Sequence, residues 1–468
     1  MYTGTESHAR FSVPRKRGDG VGELGRDQRR QLHDRAARVL EQNRLSGWTR
    51  AAPELYPHQW SWDSAFIAIG LVHIDPERAM EEIRSLFRAQ WRNGMIPHIV
   101  FNPDVSDDAY FPGPTRWNCA EIAPDSPNGV HTSGICQPPV HAIAAQRIVQ
   151  ASEPARREQY AREAFGPLFE WHRYLLSVRD PEGSGLVTIV HPWESGMDNS
   201  PRWLDAMEAI DVDQDRLAPY VRADLAHVAD ASQRPTKADY DRFLWIVDRL
   251  IDAGYRVDEA YASLPFRMKD VFFSAILVAA NEALLRLAPL AGATIEQVEI
   301  VESWIDRGRR GLAQQWHNDS TMCCDRDLVA NRDVPVRTIA SFAPLIAGGL
   351  TADRREALLK AWNSPEMLGH PGLRWKLPPS TSPTESLFQP RAYWRGPVWP
   401  VMSWLFWWAL DRGGAHEDAD CLKRESLAQL AEIGFAEYVE PFTGEPLGSM
   451  DQSWTAAVLL DWLADEAN

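Results

Sequence analysis

Apolar positions along this chain recur mainly with the period of a buried or amphipathic α-helix. Strand patterns are few and short, and they are confined to residues 95–101 and 185–191. The sequence contains no glycine-rich nucleotide motif and no regular alternation of strands and helices, which argues against a nucleotide-binding α/β fold. Helices are predicted near residues 24–44, 62–73, 76–92, 137–152, 154–178, 236–254, 256–265, 269–288, 294–317, 334–348, 352–363, 396–411, 418–434 and 451–466.

Long connections rich in Pro, Gly, Trp and Asp separate these helices, and each is followed by an apolar helix. Apolar helices that alternate with charged ones predict an inner and an outer ring. We therefore expect an all-α protein with an (α/α)6 barrel, or toroid, whose loops gather at one mouth; a helical bundle with long insertions is the alternative. The connections lie at 45–61, 94–136, 179–235, 319–333, 364–395 and 435–450.

The domain organisation follows from the same pattern. Residues 1–20 are expected to form a disordered or draped tail, and residues 21–468 a single catalytic barrel. Insertions are expected near 94–136 and 199–235, and the second of these is predicted to form a lid over the mouth.

The charge balance restricts the class of partner. The chain has 49 Lys and Arg against 65 Asp and Glu, a formal net charge of −16. This balance argues against nucleic acid and against anionic membranes, while a small anionic substrate remains compatible because one local arginine is enough to bind it. Twenty tryptophans, many of them in loops, suit the apolar faces of sugar rings. The oligomeric state stays open, and a homo-oligomer such as a dimer or tetramer is compatible with the sequence.

Cysteine usage and the N-terminal region indicate the compartment. The five cysteines lack the spacing of metal ligands, which is typical of reduced thiols in a cytoplasmic protein. Basic residues near the N-terminus are not followed by an apolar run, and no segment has the pattern of a membrane span. We expect a cytoplasmic protein without a cofactor and without a metal site.

The segment HPWESGMDNSPRW, residues 191–203, carries the strongest chemical signal. Glu194 and Asp198 lie here among tryptophan, glycine and proline residues that prevent a regular helix. An acid surrounded by aromatic residues is typical of a proton donor with a raised pKa beside a sugar ring. Asp198 follows Gly196 and Met197, where the chain can direct a short side chain inward, so it is favoured over Glu194. The alternative is a capping loop with two solvated acids.

A second acid-rich loop at 435–454 strengthens this interpretation, because glycoside hydrolysis needs two carboxyl groups on opposite sides of one bond. Its acids Glu437, Glu440, Glu445 and Asp451 all compete for the role of base. Glu440 and Glu445 flank a turn and are expected to be solvated or capping. Asp451 is expected to cap or begin the last helix.

Further blocks suggest a sugar-binding surface. Trp62 and Asp63 open an apolar helix, where the indole can stack on a ring and the carboxylate can accept from hydroxyls; capping of that helix is the alternative for Asp63. The other candidates for substrate contacts are Tyr56, Gln137, Tyr393, Trp394 and Trp399. The triplet Asp325, Arg326 and Asp327 is equally compatible with a salt-bridge cluster and with a ligand site.

Seven blocks together resemble glycoside hydrolase family 63, and within it the bacterial mannosylglycerate and glucosylglycerate hydrolases. WESGMDNSPRW and YWRGPVWP are specific to this family and its near relatives. The resemblance extends from about residue 30 to the C-terminus. The blocks are YPHQWSWDSAF, NGMIPH, CQPPV, HPWESGMDNSPRW, CDRDL, YWRGPVWP and EYVEPFTGEPLGSMDQSWTA.

The resemblance implies an inverting α-glycosidase with Asp198 as general acid and Glu437 as general base. It also implies that Gln452 contacts substrate or water, and it places Tyr110 and Trp193 among the substrate-binding residues. Relatives use an Arg and a Tyr six residues apart on the lid to bind glycerate, which corresponds to Arg234 and Tyr240 here. Arginine binds a carboxylate through two parallel hydrogen bonds. The implied substrate is glucosylglycerate, mannosylglycerate or both.

Other functions make different demands on these residues. An α-glycosidase for a neutral α-glucoside would keep both acids but would not need Arg234. A sugar epimerase would use histidines such as His58, His98 and His191, yet the two acids already fill the acid and base roles. A non-catalytic sugar-binding barrel would tolerate the loss of either acid, and both are present. Asp107 and Asp108 lack the DDxxD pattern of a terpene cyclase.

Overall fold

A computed structural model describes residues 24–53, 55–222 and 235–465. The predicted tail at 1–20 and the candidate Arg234 lie outside the described residues. The described helices are α1 (Arg26–Gln42), α2 (Ser61–Leu71), α3 (Pro76–Arg88), α4 (Pro114–Trp117), α5 (Cys119–Ile122), α6 (His141–Ala151), α7 (Pro154–Ser177), α8 (Leu204–Glu208), α9 (Lys237–Asp252), α10 (Val257–Ala260), α11 (Val271–Ala291), α12 (Ile295–Gln314), α13 (Ala343–Ala347), α14 (Ala352–Trp362), α15 (Pro400–Arg412), α16 (His416–Ile433) and α17 (Ser453–Asp465).

The β-structure consists of short antiparallel pairs within the connections. Strands β1 and β2 pair with each other, as do β5 with β6 and β9 with β10, while β3, β4, β7 and β8 form one sheet in that order. Both predicted strand segments contain a strand, at β2 and β3. The strands are β1 (Gln59–Trp60), β2 (Ile99–Val100), β3 (Thr188–Ile189), β4 (Met268–Lys269), β5 (Trp316–His317), β6 (Met322–Cys323), β7 (Asp325–Asp327), β8 (Arg332–Val334), β9 (Tyr438–Val439) and β10 (Pro446–Leu447).

Six helices of the described chain close into an inner ring. Going round the ring, α2 packs on α6, α6 on α11, α11 on α13, α13 on α15, α15 on α17, and α17 returns to α2. Outer helices pack against them: α1 on α17, α3 on α2, α7 on α6, α12 on α11 and α16 on α15. Inner and outer helices alternate along the chain, which confirms the predicted (α/α)6 barrel.

The inner helices are more apolar than the outer helices, as the sequence predicted. Every residue of α2 is buried, and α15 is buried over almost its whole length. The outer helix α12 instead buries a stripe that includes Val301, Trp304, Ile305 and Gly308, and its other faces are polar. A helix that is apolar on all sides is stable only in the interior, whereas an amphipathic one covers the outside.

Helix starts differ from the prediction where proline or a turn intervenes. Helix α6 begins at His141 rather than near 137, since Pro138 and Pro139 cannot donate backbone hydrogen bonds. The helix predicted over 334–348 begins as a 3-10 turn at Ile339–Phe342 and continues as α13. The segment predicted as a helix over 256–265 contains only α10 and a 3-10 turn at Tyr261–Ser263.

Five of the six described inner helices follow one of the long connections, whereas α9 and α10 lie between the connection at 179–235 and α11. After each of the first five inner helices, an outer helix returns the chain to the same end. The first turns of the inner helices therefore share one end of the barrel, and the connections form the mouth there. Within the described residues, α11 alone has the length and apolar composition of a membrane-spanning helix, and it is mostly buried by its neighbours in the barrel.

Candidate active site

The mouth of the barrel holds a cavity whose empty volume, including its open entrance, is about 800 Å³. Five of the six long connections, together with the first turns of α2, α9 and α17, supply its wall. The lining residues are Leu55, Tyr56, Trp60, Trp62, Asp63, His98, Tyr110, Gln137, Trp193, Gly196, Asp198, Pro235, Tyr240, Tyr393, Trp394, Glu437, Gln452 and Trp454.

Asp198 reaches this wall from an irregular segment, as the sequence predicted. A 3-10 turn at Pro192–Ser195 ends at Gly196, whose φ is +71°. A Cβ atom at Gly196 would lie 2.4 Å from the ring of Trp62, so only glycine allows this close approach. The Ser195 hydroxyl then accepts a hydrogen bond from the Met197 amide at 2.9 Å and turns the chain toward the cavity. Asp198 is half-buried there.

Glu194, the other acid of this segment, belongs to a buried ion pair. Its two carboxylate oxygens accept from both terminal nitrogens of Arg179, at 2.7 and 2.8 Å, and both side chains are fully buried. The same oxygens also accept from the amides of Val190 at 2.7 Å and Cys136 at 3.2 Å. Glu194 does not line the cavity. Its carboxylate is therefore committed to joining two connections rather than to contacting a ligand.

Glu437 lies immediately before β9, in the connection that leads to α17. Its Oε1 accepts from the Tyr56 hydroxyl at 2.6 Å, and its Oε2 accepts from the Ser449 amide at 2.8 Å. A Cβ atom at Gly448 would lie 2.5 Å from Oε2, so glycine is required for this arrangement. Both carboxylate oxygens are thus held as acceptors at the cavity wall.

The competing acids of the same loop have other partners. The Glu440 carboxylate accepts from the amide of Phe442 at 2.9 Å and from the hydroxyl of Thr443 at 2.6 Å, which closes the turn. Glu445 forms an exposed ion pair with Arg391. Asp451 is exposed and lies two residues before α17, so it is not the first-turn residue that the sequence suggested. Among these four acids, only Glu437 lines the cavity.

Asp63 is a third carboxyl group in the same cavity. It lies in the first turn of α2, but Trp60 precedes that helix, so Asp63 is not its cap residue. Burial raises the pKa of Asp63 well above its usual range, and the neighbouring carboxyl groups of Glu437 and Asp198 raise it further. This direction favours the protonated form of Asp63, which can donate a hydrogen bond as well as accept one.

Indole rings form much of the wall. Trp62 meets Trp454 edge-on, with ring centroids 5.6 Å apart, and Trp394 at 6.4 Å. Trp399 does not line the cavity: its ring stacks behind Trp394 with centroids 3.7 Å apart and parallel planes. Its indole nitrogen donates to the carbonyl of Tyr393 at 3.3 Å. Of the substrate contacts predicted in this block, Tyr393 and Trp394 line the cavity, and Trp399 supports Trp394 from behind.

The remaining described candidates all lie around the cavity. Gln137 accepts from the Trp62 amide through Oε1 at 3.2 Å, which orients its amide group. Gln452 is buried and accepts from the Ser449 hydroxyl at 3.2 Å. Tyr240 meets Trp193 edge-on at 6.3 Å. Tyr110 and Tyr393 complete the set.

Among the lining residues with aromatic rings, sequence reasoning did not assign a substrate contact to three: Trp60, His98 and Trp454. Each lies within a block that carried the family resemblance, so that resemblance was the available signal. Burial lowers the pKa of His98 to about 3, so its ring is neutral at physiological pH. A neutral imidazole contributes a polar group to the wall but does not supply a positive charge.

This chain is similar to known glycoside hydrolases over most of its length. The sequence profile described as the mannosylglycerate hydrolase MGH1-like glycoside hydrolase domain matches residues 56–455. Glucosylglycerate hydrolase of Mycolicibacterium hassiacum is 48% identical over 92% of this chain and 98% of its own length. Mannosylglycerate hydrolase MGH1 of Selaginella moellendorffii is 39% identical over 92% of this chain and 86% of its own.

One solved structure extends the similarity to three dimensions. It is the crystal structure of the glycoside hydrolase family 63 mannosylglycerate hydrolase from Thermus thermophilus, in complex with Tris and D-glycerate. The TM-score is 0.84 at 40% identity, and the match covers 92% of this chain and 99% of that one.

Proposed function

The chain belongs to the mannosylglycerate hydrolase MGH1-like glycoside hydrolase family, and from that premise we propose that it hydrolyses 2-O-α-D-glucosyl-D-glycerate, mannosylglycerate or both to the hexose and glycerate. The glucosyl compound is the first choice, because the glucosylglycerate hydrolase is 48% identical to this chain and the mannosylglycerate hydrolases 38–40%. The observation that carries the proposal is the convergence of Asp198 and Glu437, from distant connections, on one aromatic-lined cavity.

In the proposed reaction Asp198 is the general acid. It donates its proton to the glycosidic oxygen as the bond from that oxygen to the anomeric carbon breaks, so glycerate leaves as an alcohol. Glu437 is the general base and takes a proton from the water whose oxygen attacks the anomeric carbon from the opposite face. The anomeric configuration therefore inverts, and we expect the two carboxyl groups to lie roughly 6.5–9.5 Å apart so that the water fits between them.

Hydrogen bonds around the cavity support these roles. Tyr56 and the Ser449 amide fix both oxygens of Glu437, which leaves the carboxylate oriented to accept the proton of a water. The raised pKa of Asp63 favours the protonated form, which can donate to a sugar hydroxyl, while Trp62 offers an apolar face to the ring. Glu194 is excluded as the acid by its ion pair with Arg179.

The glycerate carboxylate is proposed to bind Arg234 and Tyr240. Tyr240 lines the cavity, and Pro235, the neighbour of Arg234, lines it as well. Arg222 is another arginine of the predicted lid: its guanidinium lies 4.0 Å from the centroid of the Tyr240 ring and donates to the Pro235 carbonyl at 2.6 Å. Arg222 is therefore proposed to support the lid.

The alternative substrate is a neutral α-glucoside such as a disaccharide. Purified protein should be assayed with glucosylglycerate, mannosylglycerate and trehalose, and the first-formed sugar followed by proton NMR. We expect one of the two glycerate compounds to be preferred and the β-anomer to appear first. Preference for trehalose would favour the neutral substrate, and initial release of the α-anomer would contradict inversion.

A further inference from the structure

Arg202 is a buried cation four residues beyond Asp198. Its side chain is 2% exposed and does not line the cavity. Its Nη1 donates to Asp325 at 2.9 Å and to Asp270 at 3.3 Å. The guanidinium also lies 4.1 Å from the ring centroid of its neighbour Trp203. Charge-assisted hydrogen bonds to two carboxylates hold this buried guanidinium in one orientation.

Both carboxylates are themselves anchored to the first turn of the inner helix α11. Asp270 precedes that helix, and its Oδ1 accepts from the amides of Phe272 at 2.8 Å and Phe273 at 3.1 Å. Asp325, on β7, accepts from the Val271 amide at 2.9 Å. Arg202 is thereby attached to a rigid element of the barrel rather than to another loop.

The same arginine contacts the residue that directly precedes Asp198. Its Nη2 lies 3.3 Å from the sulfur of Met197, and the adjacent Trp203 indole donates to the Met197 carbonyl at 2.9 Å. Its Nε donates to the Ser200 hydroxyl at 3.3 Å. The turn that presents Asp198 is therefore held from within by Arg202 and its neighbour.

We propose that Arg202 is a positioning residue for the general acid. It links the start of α11 to the turn that carries Asp198 and so holds that turn in one orientation. This inference rests on the proposed function, in which Asp198 protonates the leaving group. It also gives a role to Asp325, which the sequence left undecided between a salt-bridge cluster and a ligand site; Asp325 anchors the arginine.

Two substrates with different leaving groups distinguish a misplaced general acid from a general loss of stability. Glycerate leaves as an alcohol and needs a proton from Asp198, whereas fluoride leaves a glycosyl fluoride as an anion and needs little acid assistance. In both reactions a water oxygen attacks the anomeric carbon and Glu437 receives a proton. A misplaced acid therefore slows the glycerate compound selectively, while a generally damaged cavity slows both substrates alike.

The experiment measures kcat and KM of Arg202→Met and Arg202→Lys on the preferred glycosylglycerate and on the α-fluoride of the same hexose. Asp198→Ala is the reference for a missing acid. Arg147→Met is the matched control, since Arg147 pairs at 2.8 Å with the buried Asp461 in the half of the barrel away from the mouth. Thermal unfolding establishes that each variant is folded at the assay temperature.

For Arg202→Met we expect kcat on the glycosylglycerate to fall by about 100-fold, within the range that general acids contribute, with less than about 5-fold change on the fluoride. Arg202→Lys keeps the charge but loses the planar fork, so its selective loss should be smaller. Arg147→Met should keep the parental ratio of the two activities. If Arg202→Met does not fold, Arg202→Met/Asp325→Asn, which leaves one buried carboxylate instead of two, supplies the same comparison.

Equal losses on both substrates for the Arg202 variants, together with a selective loss for Asp198→Ala, would overturn the positioning role and leave the proposed function intact. Equal losses for Asp198→Ala itself would instead contradict the role of general acid that the proposed function gives to Asp198.

Discussion

The hydroxyl of Tyr56 donates to Oε1 of Glu437 at 2.6 Å, across 381 positions of the sequence. Tyr56 lies in the first long connection and Glu437 in the last, and the helices that follow them, α2 and α17, pack together to close the ring. The packing that closes the barrel therefore also brings Tyr56 within hydrogen-bond distance of Glu437, the proposed base. Substitution of either residue therefore removes a hydrogen bond from the other.

Tyr56→Phe tests this contact. Removing a hydrogen bond to a charged carboxylate costs about 1.5–3 kcal/mol, so we expect kcat to fall by roughly 13- to 160-fold while the protein stays folded. Steady-state kinetics on the preferred glycosylglycerate provide the measurement. An unchanged kcat combined with a raised KM would show that Tyr56 contacts the substrate rather than orienting the base.

Asp198→Ala and Glu437→Ala should each lower kcat by about a thousandfold, since both groups act on the transition state. Substrate binding, measured by calorimetry, should survive in both. Glu445→Gln is the matched control in the loop of Glu437, because its exposed ion pair with Arg391 lies away from the cavity. Near-parental activity of Glu437→Ala would contradict the assignment of Glu437 as the base.

Arg234→Ala tests the proposed glycerate contact. A charge-assisted, two-pronged contact in a closed site contributes about 2–4 kcal/mol, so kcat/KM for the glycosylglycerate should fall by roughly 30- to 1000-fold. An uncharged α-glucoside should be nearly unaffected. Arg222→Ala is the lid control and should affect charged and neutral substrates alike. The same uniform loss for Arg234→Ala would mean that Arg234 holds the lid and not the ligand.

The ion pair between Arg179 and Glu194 predicts a large stability effect. Both side chains are fully buried, and Glu194→Gln leaves the guanidinium without its charged partner. Breaking such a pair costs about 3–5 kcal/mol, which denaturant unfolding can measure. Glu158→Gln is the surface control: its pair with Arg162 is exposed on both sides and is worth less than about 1 kcal/mol. Equal effects in the two variants would contradict this account.

Glu82 predicts a pH dependence of stability. Burial raises the pKa of this carboxyl from 4.5 to about 7. The folded protein therefore binds a proton that the unfolded chain has released between those values, and the free energy of unfolding decreases as pH rises through this range, by up to about 3 kcal/mol. Glu82→Gln should abolish this contribution. It should raise the melting temperature relative to the parent at pH 8 but not at pH 4.5; an equal shift at both pH values would exclude titration of Glu82 as the cause.

Local patterns in the sequence determined the architecture and most of the cavity wall. Helical periodicity and the alternation of apolar with amphipathic helices are properties of consecutive residues, so they predicted the two rings and the loops of the mouth before any contact was known. The segment with Asp198 could be recognised for the same reason: its prolines and glycines exclude a helix locally. Family resemblance added Glu437 and the lid pair, of which Arg234 lies outside the described residues.

Where two similar side chains lie close together in the sequence, only the tertiary structure decided which one faces the cavity. Trp394 and Trp399 belong to one motif, yet one ring lines the wall and the other stacks behind it. Glu194 and Asp198 are four residues apart, and the difference between them is the buried Arg179 that pairs with Glu194. Arg202 meets Asp325 across 123 positions. Such contacts depend on how distant helices and loops pack and on which charges burial forces to pair, and neither is encoded in the local order of residues.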